Sequence, residues 1–146
     1  MMDHKRSQRL AGLVQSDIRR MTRECDAMQG INLGQGICQL PTPGPVARGA
    51  VEAIERGDAI YSYPEGILPL REAIAQKLER ENGITADPLS EVVVTSGASG
   101  AYTAALHGLF DPGDGILLFE PYYGYHRNAA LVAGLVPQVA TLSAPG

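Results

Sequence analysis

The chain has 146 residues, a length that fits one domain, and 45% of them are apolar, which is enough for a packed core and argues against disorder. The formal net charge of −4 disfavours nucleic acid as a partner, and no apolar run is long enough to cross a bilayer. The charged N-terminus has no apolar core of a secretory signal after it. We therefore expect a cytoplasmic protein that binds neither nucleic acid nor membranes.

In chain order, helices separated by irregular connectors come first. Apolar spacing together with glycine and proline at the ends predicts helices over residues 10–28, 45–56 and 69–81. Connectors rich in glycine and proline are predicted at 31–45 and 59–70. The first helix is predicted to have an apolar face made of Leu10, Leu13, Val14, Ile18 and Met21.

From residue 91 onward, strands alternate with helices. Strands are predicted over 91–95, 115–119 and 135–142, and helices over 98–110 and 125–133. This alternation indicates a parallel sheet with helices packed on it. Each strand is a nearly continuous apolar run, which is typical of strands that are covered on both faces.

The turn after the first predicted strand has the sequence SGASG, from Ser96 to Gly100. In open α/β sheets, ligands bind at the carboxyl ends of strands, and a helix that begins there offers unpaired N–H groups to an anion. Gly97 and Gly100 let the backbone approach a ligand closely, and Ser96 and Ser99 add hydroxyl donors. The turn therefore predicts a phosphate cradle; the alternative is a tight turn closed by serine caps. Its spacing fits neither a dinucleotide motif nor a P-loop.

Three tyrosines, Tyr122, Tyr123 and Tyr125, follow the second predicted strand at the same edge of the sheet. A phosphate site beside a flat aromatic ring favours a phosphorylated aromatic cofactor that stacks on a tyrosine. The alternative is that these tyrosines pack in the core or at an interface.

Four motifs now resemble, in order and spacing, those of the class I/II aminotransferases, fold type I enzymes that use pyridoxal 5′-phosphate (PLP). They are INLGQG followed by PTP, YSYPEGILPLREAIA, VVVTSGASGA and DPGDGILLFEPYYGY. The resemblance covers residues 31–142. It implies an α/β fold that is the N-terminal part of the PLP-dependent transferase fold, with a mostly parallel sheet, helices packed on it, and the C-terminal half absent. It further implies an N-terminal helical arm over residues 1–30 and an incomplete N-terminal portion of the large PLP-binding domain over residues 31–146.

The resemblance also implies roles for single residues. The backbone N–H groups of Ala98 and Ser99 would hold the PLP phosphate, and Tyr123 would stack on the pyridine ring. Tyr61 matches the tyrosine that reaches the phosphate from the other subunit, which implies a homodimer. Gly36 matches the glycine whose backbone lies near the substrate carboxylate.

The chain departs from the family pattern in two places. Ile37 and Cys38 stand where many relatives have an aromatic residue and then proline, so the sequence does not identify the substrate. No base is identifiable for Cys38, and we interpret it, like Cys25, as a reduced, inert thiol. The chain also stops before the segment in which the family has its Schiff-base lysine, the aspartate paired with the pyridine nitrogen and the arginine that binds the substrate carboxylate. We interpret Lys5 and Lys77 as surface residues, since nothing around them indicates a lowered pKa, and we assign no catalytic residue and no metal ligand.

The activity implied by the resemblance is PLP-dependent transfer of an amino group between an α-amino acid and a 2-oxo acid. We expect the 146-residue chain alone to be inactive, because the lysine is missing. We also expect it to be marginally stable, because an apolar sheet edge would stay open until self-association or a second polypeptide covered it. The alternatives are a PLP-dependent carbon–sulfur β-lyase of the same fold, a non-catalytic aminotransferase-like module, and a truncated reading frame without a function of its own.

Overall fold

A computed structural model describes residues 7–143 of the chain. Within this range a short 3₁₀ turn precedes five α-helices and two β-strands. In chain order they are α1 (Asp17–Ala27), α2 (Gly44–Glu55), α3 (Leu68–Asn82), α4 (Gly97–Leu109), β1 (Gly115–Glu120), α5 (Gly124–Val132) and β2 (Val136–Thr141). The chain divides into two compact units. The first combines the segment that ends at Gln35 with the segment that begins at Ser96, and the second is Gly36–Thr95.

Helices α2 to α5 confirm the predicted ones to within about two residues at each end, because their end signals are local. In α2, Pro45 occupies the first turn, where its missing N–H has no partner to lose. In α3, Pro69 has the same place, and the helix ends at Gly83. Gly83 has the left-handed φ of +66°, and its N–H donates to the carbonyl oxygen of Glu79 at 3.1 Å.

The prediction of a single helix over residues 10–28 was wrong. Only α1 is helical there, preceded by the 3₁₀ turn Gln8–Leu10. The backbone of Val14 is bonded elsewhere: the Asn128 side-chain amide donates to its carbonyl oxygen at 2.8 Å, and its N–H donates to Asn128 Oδ1 at 3.4 Å. A helix needs both of those backbone groups for its own hydrogen bonds, so the segment between the 3₁₀ turn and α1 is not helical.

Strands β1 and β2 pair in parallel, and α5 connects them. The register runs from Gly115 opposite Val136 to Glu120 opposite Thr141. The parallel pairing and both of these strands confirm the sequence prediction. Together with the helices, they give the α/β architecture that was expected.

The predicted strand over residues 91–95 was wrong, since the sheet in the described part of the chain contains β1 and β2 alone. Strand formation requires a neighbouring strand for the backbone groups. The N–H of Val94 instead donates to the loop carbonyl of Glu65 at 3.0 Å. Val92 is nevertheless buried, whereas Val93 is 64% exposed.

The core of the first unit lies between α4, α5 and one face of the sheet. Its buried members are Leu106, Ala130 and Leu135, and Tyr102 and Ile116 pack against them. Leu118 on β1 is also buried. The opposite face of the sheet is uncovered, because Leu117 is 55% and Phe119 is 58% exposed.

A buried arginine joins the loops of the second unit through hydrogen bonds. Arg71, on α3, is only 6% exposed and donates to the carbonyl oxygens of Gly66 at 3.1 Å and Pro88 at 2.7 Å. A further bond of 3.3 Å reaches the carbonyl oxygen of Leu89. Its guanidinium lies 3.7 Å from the carboxylate of Glu65.

None of the helices between residues 7 and 143 combines the length and the apolar character that crossing a bilayer requires.

Candidate functional site

The first predicted site segment forms the N-terminus of α4. Ser96 is its N-cap residue, and its side chain makes no capping hydrogen bond. Gly97 opens the helix with a φ of +71°, in the left-handed region that favours glycine. Ala98 and Ser99 follow in the first turn, and both are exposed. The serine-cap alternative raised from the sequence therefore does not describe Ser96.

The chemistry of this helix end suits an anion. The first N–H groups of an α-helix have no partner within the helix, and the helix dipole places partial positive charge there. No acidic residue lies in the first turn of α4. The backbone N–H groups of Ala98 and Ser99 thus belong to a helix end that can accept a phosphate group.

The second predicted segment lies where β1 leads into α5. Tyr123 is the N-cap residue of α5, and the N–H of His126 donates to its carbonyl oxygen at 2.9 Å. Tyr123 remains 47% exposed, so part of its ring is accessible to a planar ligand. Its ring contacts two neighbours on α5: Tyr125, with centroids 5.1 Å apart, and His126, with centroids 5.4 Å apart in an edge-to-face arrangement.

A third ring connects this segment with α4. The rings of Tyr102 and His126 have centroids 4.4 Å apart. The Tyr102 hydroxyl is buried and has no hydrogen-bond partner among residues 7–143, and burial raises the pKa of this phenol above its ordinary value. No role was predicted from the sequence for Tyr102 or His126. Their spacing from Ser99 and Tyr123, three residues in each case, was the signal available.

Two cavities border these residues. One of about 250 Å³ lies between α4 and α5 and is lined by Ser99, Tyr102, Thr103, Tyr125 and His126, among others. The other, of about 530 Å³, is lined by residues 14–18 on one side and by residues 122–124 with Arg127 and Asn128 on the other. Tyr123 lies in the wall of the larger cavity, while Ser99 lies in the wall of the smaller one.

Gly36 and Tyr61 belong to the second unit, whereas Ala98, Ser99 and Tyr123 belong to the first. A Cβ atom added at Gly36 would meet nothing within 4 Å, and the Tyr61 side chain is fully exposed. The roles implied for these two residues stay predictions.

The chain has two lysines and two cysteines as further candidate nucleophiles. Lys77 is an exposed residue of α3, 3.6 Å from the Glu81 carboxylate, which confirms it as a surface lysine. Lys5 lies outside the described residues. Cys25 and Cys38 are free thiols, the first partly buried and the second exposed. Between residues 7 and 143 there is no cluster of His, Cys, Asp and Glu that could hold a metal ion.

This chain belongs to the class I and II aminotransferase family, because residues 28–145 match the model of that family. It is 40% identical over 104 residues to the probable N-succinyldiaminopimelate aminotransferase DapC of Mycobacterium tuberculosis. That alignment covers 71% of this chain and 26% of that protein. It is also 35% identical over 122 residues to the aspartate/prephenate aminotransferase of Thermus thermophilus. That alignment covers 81% of this chain and 31% of that protein.

Solved structures agree with the family assignment. The N-succinyldiaminopimelate aminotransferase from Mycobacterium tuberculosis matches with a TM-score of 0.89 and 33% identity, over 97% of this chain and 37% of that chain. The Escherichia coli protein YbdL, whose structure identified a methionine aminotransferase function, matches with a TM-score of 0.88 and 30% identity. This match also covers 97% of this chain and 37% of that chain. The chain thus spans about a third of the length of the relatives it matches.

Proposed function

We propose that this chain is the N-terminal part of a PLP-dependent aminotransferase, which exchanges an amino group between an α-amino acid and a 2-oxo acid. The observation that carries the proposal is the pairing of two features in one compact unit. One is a helix end without acidic residues in its first turn, and the other is a half-exposed tyrosine at the start of the next helix. A phosphorylated ring needs both an anion site and an aromatic surface.

Each residue of the proposed site has a separate task. The backbone N–H groups of Ala98 and Ser99 donate to the phosphate, and Tyr123 covers one face of the ring. Gly36 lets the backbone approach the substrate carboxylate, because no side chain stands there. Tyr61, fully exposed in this chain, reaches the phosphate of a second subunit in a homodimer. In this proposal residues 1–30 form the N-terminal arm, and residues 31–146 form part of the large domain.

PLP, when bound, supplies an electron sink for the α-carbon of the amino acid. The residues of this chain bind and orient that group, but none is proposed to bond it covalently. Lys77 is exposed, and its ammonium group pairs with the Glu81 carboxylate at 3.6 Å. We therefore propose that turnover requires residues beyond these 146, in the same polypeptide or in a second one.

The binding test uses pyridoxine 5′-phosphate, which keeps the ring and the phosphate but has no aldehyde to react with surface amines. We expect Tyr123→Leu to weaken its binding about tenfold and Tyr123→Phe to change it less than about threefold, since the ring is retained. Ala98→Pro removes one donor at a position where proline is tolerated, and Ala98→Gly is its matched control. Equal affinities for all four variants would overturn the proposed site.

The activity test mixes the purified chain with PLP, an amino acid and a 2-oxo acid, and follows new amino acid by chromatography. We expect no turnover from the chain alone. Turnover should appear when a polypeptide that corresponds to the remaining two thirds of the relatives is added. Ammonia and pyruvate in place of a new amino acid would identify a β-lyase instead. Steady turnover by the chain alone would disprove the requirement for additional residues.

A further inference from the structure

We propose that His126 is a positioning residue that orients the Tyr123 ring and links it to α4, the helix that carries the proposed phosphate donors. The expected effect on cofactor binding rests on the proposed function. The positioning itself is a property of the unliganded chain. It assigns a role to two side chains, those of His126 and Tyr102, that lie between the two halves of the proposed site.

The His126 ring lies between two tyrosine rings, with its centroid 4.4 Å from that of Tyr102 and 5.4 Å from that of Tyr123. The angle between the rings of His126 and Tyr123 is 81°, so one ring presents its edge to the face of the other. Aromatic pairs favour this arrangement, because the positive edge of one ring meets the negative face of the other.

Tyr102 and His126 each lie three residues from a residue of the proposed site. Residues three apart lie on the same side of a helix. Ser99 and Tyr102 have this spacing on α4, and Tyr123 and His126 have it at the start of α5. The contact between Tyr102 and His126 thus joins α4 to α5. It lies on the side of α4 that carries Ser99 and on the side of α5 that carries Tyr123.

The rings of Tyr102 and Tyr123 are held in place to different degrees. Tyr102 packs against the core cluster that contains Leu106, and its hydroxyl is buried. Tyr123 has no such anchor, being 47% exposed, and its other ring neighbour, Tyr125, is itself 40% exposed. His126 is therefore the contact through which the buried core can restrain the Tyr123 ring.

The direct test is an NMR measurement on the chain without ligand, with ¹³C-labelled tyrosine rings and with Tyr123→Phe to assign the Tyr123 signals. His126→Ala should move the Tyr123 ring signals toward those of an exposed tyrosine, because the ring current of the neighbouring imidazole is lost. His126→Phe should keep them displaced, since a ring is retained at that position. His107→Ala, on the exposed side of α4, is the matched control and should leave them unchanged. Tyr123 signals that do not respond to His126→Ala would overturn the positioning role.

The second measurement is the affinity for pyridoxine 5′-phosphate. His126→Ala should weaken binding about threefold to tenfold, and His126→Phe should restore it to within about twofold. If Tyr123→Leu has no effect on affinity while His126→Ala still moves the Tyr123 signals, the proposed cofactor site fails and the positioning contact stands. If Tyr123→Leu weakens binding while His126→Ala neither weakens it nor moves the Tyr123 signals, the site stands and the positioning role fails.

Discussion

Arg71 donates a hydrogen bond of 2.7 Å from Nη1 to the carbonyl oxygen of Pro88, seventeen residues further along the chain. The same guanidinium bonds Gly66, so one side chain joins the loop before α3 to the loop after it. A buried carbonyl that loses a charged donor keeps its desolvation cost without compensation.

We expect Arg71→Met, which keeps most of the side-chain volume, to lower the free energy of unfolding by about 2–4 kcal/mol. Urea denaturation followed by circular dichroism measures this change. Arg80→Met is the control, because Arg80 lies on the same helix with an exposed ion pair to Glu81, and its loss should cost less than about 1 kcal/mol. Equal effects of the two substitutions would contradict the role given to Arg71.

Gly66 lies directly against Val94. A Cβ atom built at Gly66 would lie 2.7 Å from Cγ2 of Val94, and Gly66 has a φ of +96°. Gly66→Ala combines a steric clash with backbone strain, and should cost more than about 2 kcal/mol of stability. Gly57→Ala separates the two causes, since Gly57 also has a positive φ but has open space around it. It should cost about 1 kcal/mol. A larger loss for Gly57→Ala than for Gly66→Ala would contradict this assignment.

Asn128 holds the segment before α1 by pairing with both backbone groups of Val14. Asn128→Leu removes both bonds and should raise the hydrogen-exchange rate of the amides in residues 12–16 about tenfold. Asn82→Leu, at the exposed end of α3, is the control and should leave that exchange unchanged. Protection that persists in Asn128→Leu would show that other contacts hold the segment.

The uncovered face of the sheet predicts self-association of the isolated chain. Leu117 and Phe119 are two residues apart on β1, so they lie on the same face. We expect the double substitution Leu117→Thr and Phe119→Thr to shift the chain toward monomer in size-exclusion chromatography with light scattering. Ile60→Thr removes an even more exposed apolar side chain, at 79%, from the second unit and is the control. An unchanged mass distribution in the double variant would argue against association through this face.

The extent to which sequence predicts this structure depends on how local each signal is. The boundaries of α2 and α3 follow from Pro45, Pro69 and Gly83, which act within a few residues. The break before α1 does not, because it depends on Asn128, 114 residues away from Val14. The expected strand over 91–95 failed for a related reason, since strand pairing is decided by distant backbone.

The sequence predicted which backbone segments form the candidate site, but not the side-chain contacts that support them. Small residues before a helix and a tyrosine after a strand predicted the places of Ala98, Ser99 and Tyr123, although their roles await the binding test. Helical spacing places Tyr102 and His126 on helices, but it does not reveal that their rings meet across two helices. Burial of Arg71 was likewise out of reach, because it depends on carbonyl groups in two separate loops.

The chain contains no tryptophan, so its tyrosines are its natural optical probes. Because burial raises the pKa of Tyr102, the folded state favours the neutral phenol. The stability associated with that group is present below the ordinary phenol pKa of about 10 and is lost as the pH rises above it. In an alkaline titration followed by ultraviolet absorbance, Tyr102 should ionise late, and Tyr102→Phe should remove that late component. Ionisation of Tyr102 thus gives a spectroscopic reading of whether α4 and α5 are packed together.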